Sequence, residues 1–234
     1  EKTGYKVAIL TVDVPIQFRR AKDNKNGFTV PFNIGFKQFI DFATHPSWSI
    51  STLLKGIPKP MNYETSKRGN KFIRSESRGA TDWETLKRIR EKWKGKLIIK
   101  GVMSPDDAIK IKSEGADAIQ VSNHGGRQLE SATTSIEALP IIRNAVGKDF
   151  SLIFDSGIRG GSDIVRALAL GADFTMIGRP LMYGIGADGS RGLRRIINII
   201  KDELSTSLGL VGLTDIKDIS SDIVAERFIG DFKY

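Results

Sequence analysis

Val121-Ser122-Asn123-His124-Gly125-Gly126-Arg127-Gln128-Leu129 is the stretch on which the reading of this chain turns. The residues leading into it, Ala118-Ile119-Gln120-Val121, form a short apolar run closed by turn residues, which predicts a buried strand rather than a helix. Beyond the strand comes a polar turn whose glycines supply positive φ, and an isolated His-Gly-Gly would be no more than such a turn with a solvated imidazole. The arginine three residues on changes that. A proton acceptor and a carboxylate-binding fork then share one loop.

Working outward, Leu97-Ile98-Ile99-Lys100 predicts another strand. Ser104-Pro105-Asp106-Asp107 then supplies an N-cap, a first-turn proline and two first-turn carboxylates for a helix that Gly115 ends. Downstream, the pattern predicts a helix over 136–146, a strand over 151–154, and a helix over 163–170 capped by Ser162 and stopped by Gly171. A strand over 174–177, a long amphipathic helix over 192–208 and a short helical or irregular tail follow. Near the start, Val7–Leu10 predicts a strand leading into Thr11-Val12-Asp13, and a helix is expected over 83–93. Strands alternating with helices imply a parallel sheet with crossover helices. Asp107–Asp117 resembles Asp163–Asp173, both ending in Gly-Ala-Asp and leading directly into a strand, as repeated βα units would.

Five such strands cannot close an eight-stranded barrel, whose typical length is about 250 residues. The fold class expected is α/β: a TIM (β/α)8 barrel of which about five C-terminal βα units are present, with an open doubly wound sheet as the alternative. Residues 1–234 read as one partial barrel domain with a long loop or insertion at about 27–80. There Pro31, Pro46, Pro58 and Pro60 and the mixed-charge run Lys67–Arg78 fit no compact βα connection. Its apolar-basic part, Phe36–Lys55, reads as a lid or as a surface for a membrane or partner.

The chain has no cysteine and only two histidines, His45 and His124. Thiolate chemistry and a disulfide framework are excluded, a metal site is not expected, and neutral-pH proton transfer falls to the imidazoles. A net charge of +9 and a pI near 9.7 imply an anionic partner such as a phosphate cofactor, an acidic substrate or a lipid surface. The basic residues are scattered, without the aromatic-interleaved stripe of an RNA module, so no nucleic acid is expected. No run approaches the ~18 apolar residues of a membrane span, and the first residues lack the apolar core of a secretory signal. The expected location is cytoplasmic, or peripheral to the inner membrane.

Two further loops carry anion chemistry. Phe154-Asp155-Ser156-Gly157-Ile158-Arg159-Gly160-Gly161-Ser162 runs from a strand end into a helix N-terminus, where small residues, the helix dipole and Arg159 favour a phosphate. Ile177-Gly178-Arg179-Pro180 follows the next strand, and barrels that bind a phosphorylated cofactor commonly hold it with the loops after their last two strands. Each alone is weak, because Gly-x-Arg is common in ordinary turns. Lys100, at its strand's end, should project into the barrel mouth and needs an anionic partner there, unless it is a surface lysine. Asp13 could pair with a histidine or serve the rim.

Taken together, Thr11-Val-Asp13-x-Pro15…Arg20, Ile98-Ile-Lys100-Gly101, Ser122-Asn-His124-Gly-Gly-Arg127-Gln-Leu, Asp155-Ser-Gly157-Ile-Arg159 and Ala169-Leu-Gly-Ala…Ile177-Gly178-Arg179 resemble the FMN-dependent L-2-hydroxy acid dehydrogenase and oxidase family. The match runs through nearly the whole chain and is weakest between residues 30 and 80. The resemblance implies FMN as cofactor, a small 2-hydroxy acid, most simply L-lactate, as substrate, and a quinone, cytochrome or oxygen as electron acceptor. It implies His124 as base, Asp13 as the group holding its imidazolium, and Arg127 with Arg20 as the substrate-carboxylate site. Lys100 would stabilise negative charge on the reduced flavin. Thr11 and Ser122 would contact the ring, and Asp155, Gly157, Arg159, Gly178 and Arg179 would hold the ribityl phosphate.

Members of that family normally carry an earlier segment with a substrate-binding tyrosine, a Pro-Thr-Ala-like flavin loop and three more strands, none of which is among these residues. A fragment with a missing N-terminal half, one half of a split enzyme or a degenerate gene product is therefore expected; the resemblance separately implies a homo-oligomer, since oligomers are frequent in such families. Two rival readings remain at this stage. One is a non-catalytic or split-enzyme half-barrel serving as an assembly or membrane-surface module, suggested by the charge and the long basic loop. The other is a phosphate-binding barrel isomerase or an FMN-dependent isoprenoid isomerase, against which the carboxylate fork beside a base argues.

Overall fold

The computed structural model describes residues 4–15, 25, 35–56, 81–129 and 131–225. Arg20, the mixed-charge run Lys67–Arg78 and the prolines at 31, 58 and 60 lie outside the described residues. The chain divides into two compact units, Ile16–Ala80 and Glu1–Pro15 with Thr81–Tyr234.

The first of these contains helices α1 (Phe36–Thr44) and α2 (Pro46–Lys55), within the stretch expected as a long loop or insertion. The helices have a plain cause. Phe36, Phe39 and Ile40 fall at helical spacing, and Pro46 occupies the first turn of α2, where its missing N–H costs nothing.

The second unit is built on one parallel sheet of β1 (Val7–Thr11), β2 (Lys96–Val102), β3 (Ala118–Val121), β4 (Ser151–Phe154) and β5 (Phe174–Thr175), in sequence order. All five expected strands form. Lys100 is not the last residue of its strand, since β2 continues to Val102 through a register shift at Gly101. The last strand is shorter than expected, although Met176 N still reaches Phe154 O at 2.8 Å. Side chains alternate across the pleat, so Leu97, Ile99, Ile119, Val121, Leu152 and Phe154 share the face under the helices, where each is at most 2% exposed. Thr11, Lys100 and Gln120 stand in register on neighbouring strands of the other face.

The connecting helices are α3 (Trp83–Lys92), α4 (Pro105–Ser113), α5 (Ser135–Val146), α6 (Gly161–Ala169) and α7 (Arg179–Leu210). Ser104 caps α4 as expected, accepting from Asp107 N at 3.3 Å. Ser162 does not cap α6. That helix starts two residues earlier, at Gly161, and carboxylates serve its leading N–H groups: Asp163 Oδ2 takes Arg159 N and Gly160 N, and Glu203 Oε2 takes Gly161 N. A charged acceptor beats a hydroxyl at a helix N-terminus. The final helix begins at Arg179, thirteen residues before the expected start at 192, and it bends where Asp188 and Gly189 leave helical geometry. The expected helix is the portion beyond that bend.

The two Gly-Ala-Asp repeats perform one structural task. Asp117 Oδ2 accepts from Leu97 N and from Arg90 Nη1, each at 2.9 Å. Asp173 Oδ2 accepts from Leu152 N at 2.7 Å and from Arg143 Nη2 at 2.6 Å. In each case a carboxylate at the foot of one strand is tied to the preceding strand and to an arginine on the helix before it.

Candidate active site

The polar residues gather beyond the carboxyl ends of β1 to β4. Asp13 lies two residues past β1, and its neighbour Val12 donates its N–H to Lys100 O at 2.9 Å, which ties this loop to β2. Gly101, at φ +99°, gives Asp13 room: a Cβ there would come within 2.5 Å of the Asp13 Cβ.

His124 Nδ1 lies 3.0 Å from Asp13 Oδ1 and 3.1 Å from Oδ2. An ionised carboxylate only accepts, so Nδ1 carries the hydrogen, and in the neutral imidazole Nε2 is then the acceptor. His124 sits in the left-handed region at φ +59°, an uncommon conformation for a residue other than glycine. Its own N–H donates to Ser122 Oγ at 3.1 Å, and Gly126 N–H donates to Asn123 Oδ1 at 3.0 Å, so the turn is held from both sides.

The ammonium of Lys100 donates to Ser122 Oγ at 3.0 Å and lies 3.5 Å from Asp13 Oδ2 and 3.8 Å from Asp155 Oδ2. All three charged side chains are largely buried, at 18% exposure for Lys100, 10% for Asp13 and 17% for Asp155. The anionic partners that the sequence demanded for this lysine are therefore present, and their attraction is weakly screened.

Ser156 knits the loops after β3 and β4 together. It is the second non-glycine residue at positive φ, +75°. Its hydroxyl donates to Asp155 Oδ1 at 2.6 Å, accepts from Gly125 N at 2.9 Å and lies 3.3 Å from Ser122 Oγ. Arg179, opening α7, donates to Gly125 O at 2.8 Å; a Cβ on Gly125 would come within 2.7 Å of that guanidinium nitrogen. Asn123, Gly125, Ser156, Gly157 and Arg179 line a cleft of about 350 Å³.

The expected site residues thus fall into groups. Asp13, Lys100, Ser122, His124 and Asp155 form one connected cluster. Thr11 ends β1 in register with Lys100, and Arg127 is exposed on the His124 turn. Gly157 and Arg159 lie in the loop after β4, and Gly178 and Arg179 lie where the chain after β5 enters α7. Most of the N–H groups expected to receive an anion at the start of α6 are already taken by Asp163 and Glu203. Gln120 and Ser156 received no role from the sequence, yet both bond to Asp155. Gln120 had a legible signal, being the one polar residue in an apolar strand. A serine at positive φ has none.

These residues suit FMN. A buried ammonium at the strand ends matches the anionic edge of a reduced ring, hydroxyls at Thr11 and Ser122 match its polar rim, and Arg159 and Arg179 match a phosphate. Gln120 Oε1 is in addition a buried acceptor that no described residue satisfies.

Parallel βα units with their polar residues collected at the carboxyl ends of the strands define the class: part of a (β/α)8 barrel, with five strands among the described residues. The model of the FMN-dependent dehydrogenase family matches residues 1–226, and the chain belongs to that family. It is similar to the L-lactate dehydrogenase of Pectobacterium atrosepticum, at 37% identity over 234 residues, covering 97% of this chain and 60% of that protein. To the (S)-mandelate dehydrogenase of Pseudomonas putida it is 36% identical over 225 residues, covering 94% of this chain and 57% of the other. Among solved structures, the monotopic membrane protein (S)-mandelate dehydrogenase superposes with a TM-score of 0.88 at 35% identity, covering 95% of this chain and 60% of that one. Mandelate oxidase superposes with a TM-score of 0.69 at 30% identity, covering 92% and 55%. The chain spans about 60% of the length of the curated relatives it matches.

Proposed function

We propose that this chain supplies the base, the charge-stabilising lysine and the phosphate-binding loops for FMN-dependent oxidation of a small L-2-hydroxy acid, with L-lactate the favoured substrate, to the 2-keto acid. The observation that carries the reading is the His124–Asp13 pair at 3.0 Å beside the Lys100 ammonium, on the turn that also bears Arg127.

Bound FMN supplies a two-electron acceptor, from which the electrons pass to a quinone, a cytochrome or oxygen. The residues do the rest. Asp13 fixes the tautomer and orientation of His124, so that Nε2 takes a proton from the substrate as its second carbon is oxidised, and the carboxylate then balances the imidazolium. Arg127, exposed and planar, suits two parallel bonds to the substrate carboxylate, with Arg20 adding positive charge. Lys100 stabilises negative charge at the ring edge, Thr11 and Ser122 meet the ring, and Asp155, Gly157, Arg159, Gly178 and Arg179 hold the ribityl phosphate.

A peripheral membrane contact through α1 and α2 belongs to the same proposal. Phe36, Phe39, Ile40, Trp48, Ile50, Leu53 and Leu54 are exposed, and a structural relative is described as monotopic. No helix among the described residues is long and apolar enough to cross a membrane.

Anaerobic addition of L-lactate to the FMN-reconstituted chain tests the reading. Bleaching of the flavin absorbance is the expected result. A colourless protein that takes up no FMN yet binds anionic vesicles would favour the non-catalytic module instead.

A further inference from the structure

Gln120 is a polar side chain in a strand that is otherwise apolar. It lies on β3 at 2% exposure, between Lys100 of β2 and Ile153 of β4 in the register. Its Nε2 donates to Asp155 Oδ2 at 2.5 Å. A carboxylate can only accept, so the amide has no choice of orientation, and Oε1 turns away to a place where no described residue donates to it. An unsatisfied buried acceptor is destabilising, and a methionine would fill similar space without one. Packing does not explain the amide.

The oxygen that Gln120 holds supplies the explanation. Asp155 Oδ1 accepts from Ser156 Oγ at 2.6 Å, whereas Oδ2 is the oxygen that faces Lys100 Nζ, 3.8 Å away and beyond hydrogen-bond reach. We propose that Gln120 is a positioning residue: by occupying Asp155 Oδ2 it keeps that carboxylate from closing on Lys100, so the ammonium's charge stays available to an anionic group at the barrel mouth. The inference rests on the reading above, in which that group is the edge of reduced FMN. Without the amide, a shift of about 1 Å brings Asp155 from a loose ion pair at 3.8 Å to a direct hydrogen bond, and the carboxylate then neutralises more of the lysine's charge.

Acylation of Lys100 by a water-soluble acetylating ester, followed by mass spectrometry of its peptide, reports this pairing with no flavin present. Gln120→Met keeps the volume and loses the donor, and it should slow Lys100 labelling about tenfold, because a lysine held by a carboxylate is less often neutral. Gln120→Asn, too short to reach Asp155, should act in the same direction. In an Asp155→Asn background Gln120→Met should change the rate by less than about twofold, since residue 155 then has no charge to close on Lys100 and the Asp13 pairing at 3.5 Å is the same with and without the amide, whereas a packing defect would act in both backgrounds. Equal labelling of wild type and both Gln120 variants, or the same slowing in both backgrounds, overturns the proposal. In the FMN-loaded chain Gln120→Met should also lower the relative affinity for reduced over oxidised flavin. A chain that takes up no FMN overturns the flavin reading, while the labelling comparison still decides the role of Gln120.

Discussion

His124 Nδ1 and Asp13 Oδ1 meet at 3.0 Å across 111 residues of chain, a bond that only the parallel pairing of β1, β2 and β3 could close. Replacing Asp13 by Asn leaves the shape and removes the charge that fixes the tautomer. Substrate-driven flavin reduction should then fall by roughly 100-fold or more, within the range general-base catalysis commands. Stopped-flow absorbance of the FMN-loaded protein checks it, and a rate within threefold of wild type would detach Asp13 from the chemistry.

Arg127 projects from the same turn without burial. Arg127→Lys keeps the charge and loses the planar fork, so KM for the hydroxy acid should rise about 10- to 100-fold while FMN affinity changes little. Steady-state kinetics beside a flavin-fluorescence titration separate the two. An unchanged KM would give the substrate carboxylate to another residue.

Asp117 ties β2 to α3 at the foot of the sheet. Burial works to raise its carboxyl, but Lys96, the Leu97 N–H and Arg90 overcome this and hold it below its ordinary value of 3.8. A carboxyl lowered by folding stabilises the native state wherever it is ionised, so its contribution is present above that ordinary value and vanishes as pH falls through the folded one. Asp117→Ala should cost about 2 kcal/mol near neutral pH, and the difference from wild type should shrink in acid. Urea unfolding at a series of pH values tests both statements, and a pH-independent difference would assign the loss to packing.

Gly161 opens α6 against α7, where a Cβ would fall inside the backbone of Glu203 and Leu204. Gly161→Ala should destabilise the chain by roughly 3 kcal/mol, seen as a Tm lower by several degrees. An unchanged Tm would mean that the two helices separate at little cost.

Much of this was legible in the sequence because local signals agreed with the fold. β3 and β4 fell on their expected residues, since β-branched runs bounded by glycines leave a strand few alternatives. The cluster of His124, Asp13 and Lys100 was readable for a related reason: chemistry at and near strand ends follows from strand positions. What escaped were features decided across the chain. The caps of α6 come from Asp163 and Glu203, the latter on another helix. The first part of α7 is rich in glycine, which hides helical periodicity. Helices α1 and α2 were obscured by prolines that open a helix as readily as they end one.

If His124 is the base, its substitution in the flavin-loaded protein stops the chemistry and leaves the cofactor in place. His124→Gln should retain FMN with its absorbance intact and show no bleaching when L-lactate or another L-2-hydroxy acid is added without oxygen. Bleaching at close to the wild-type rate, with FMN still bound, would take the role of base away from His124.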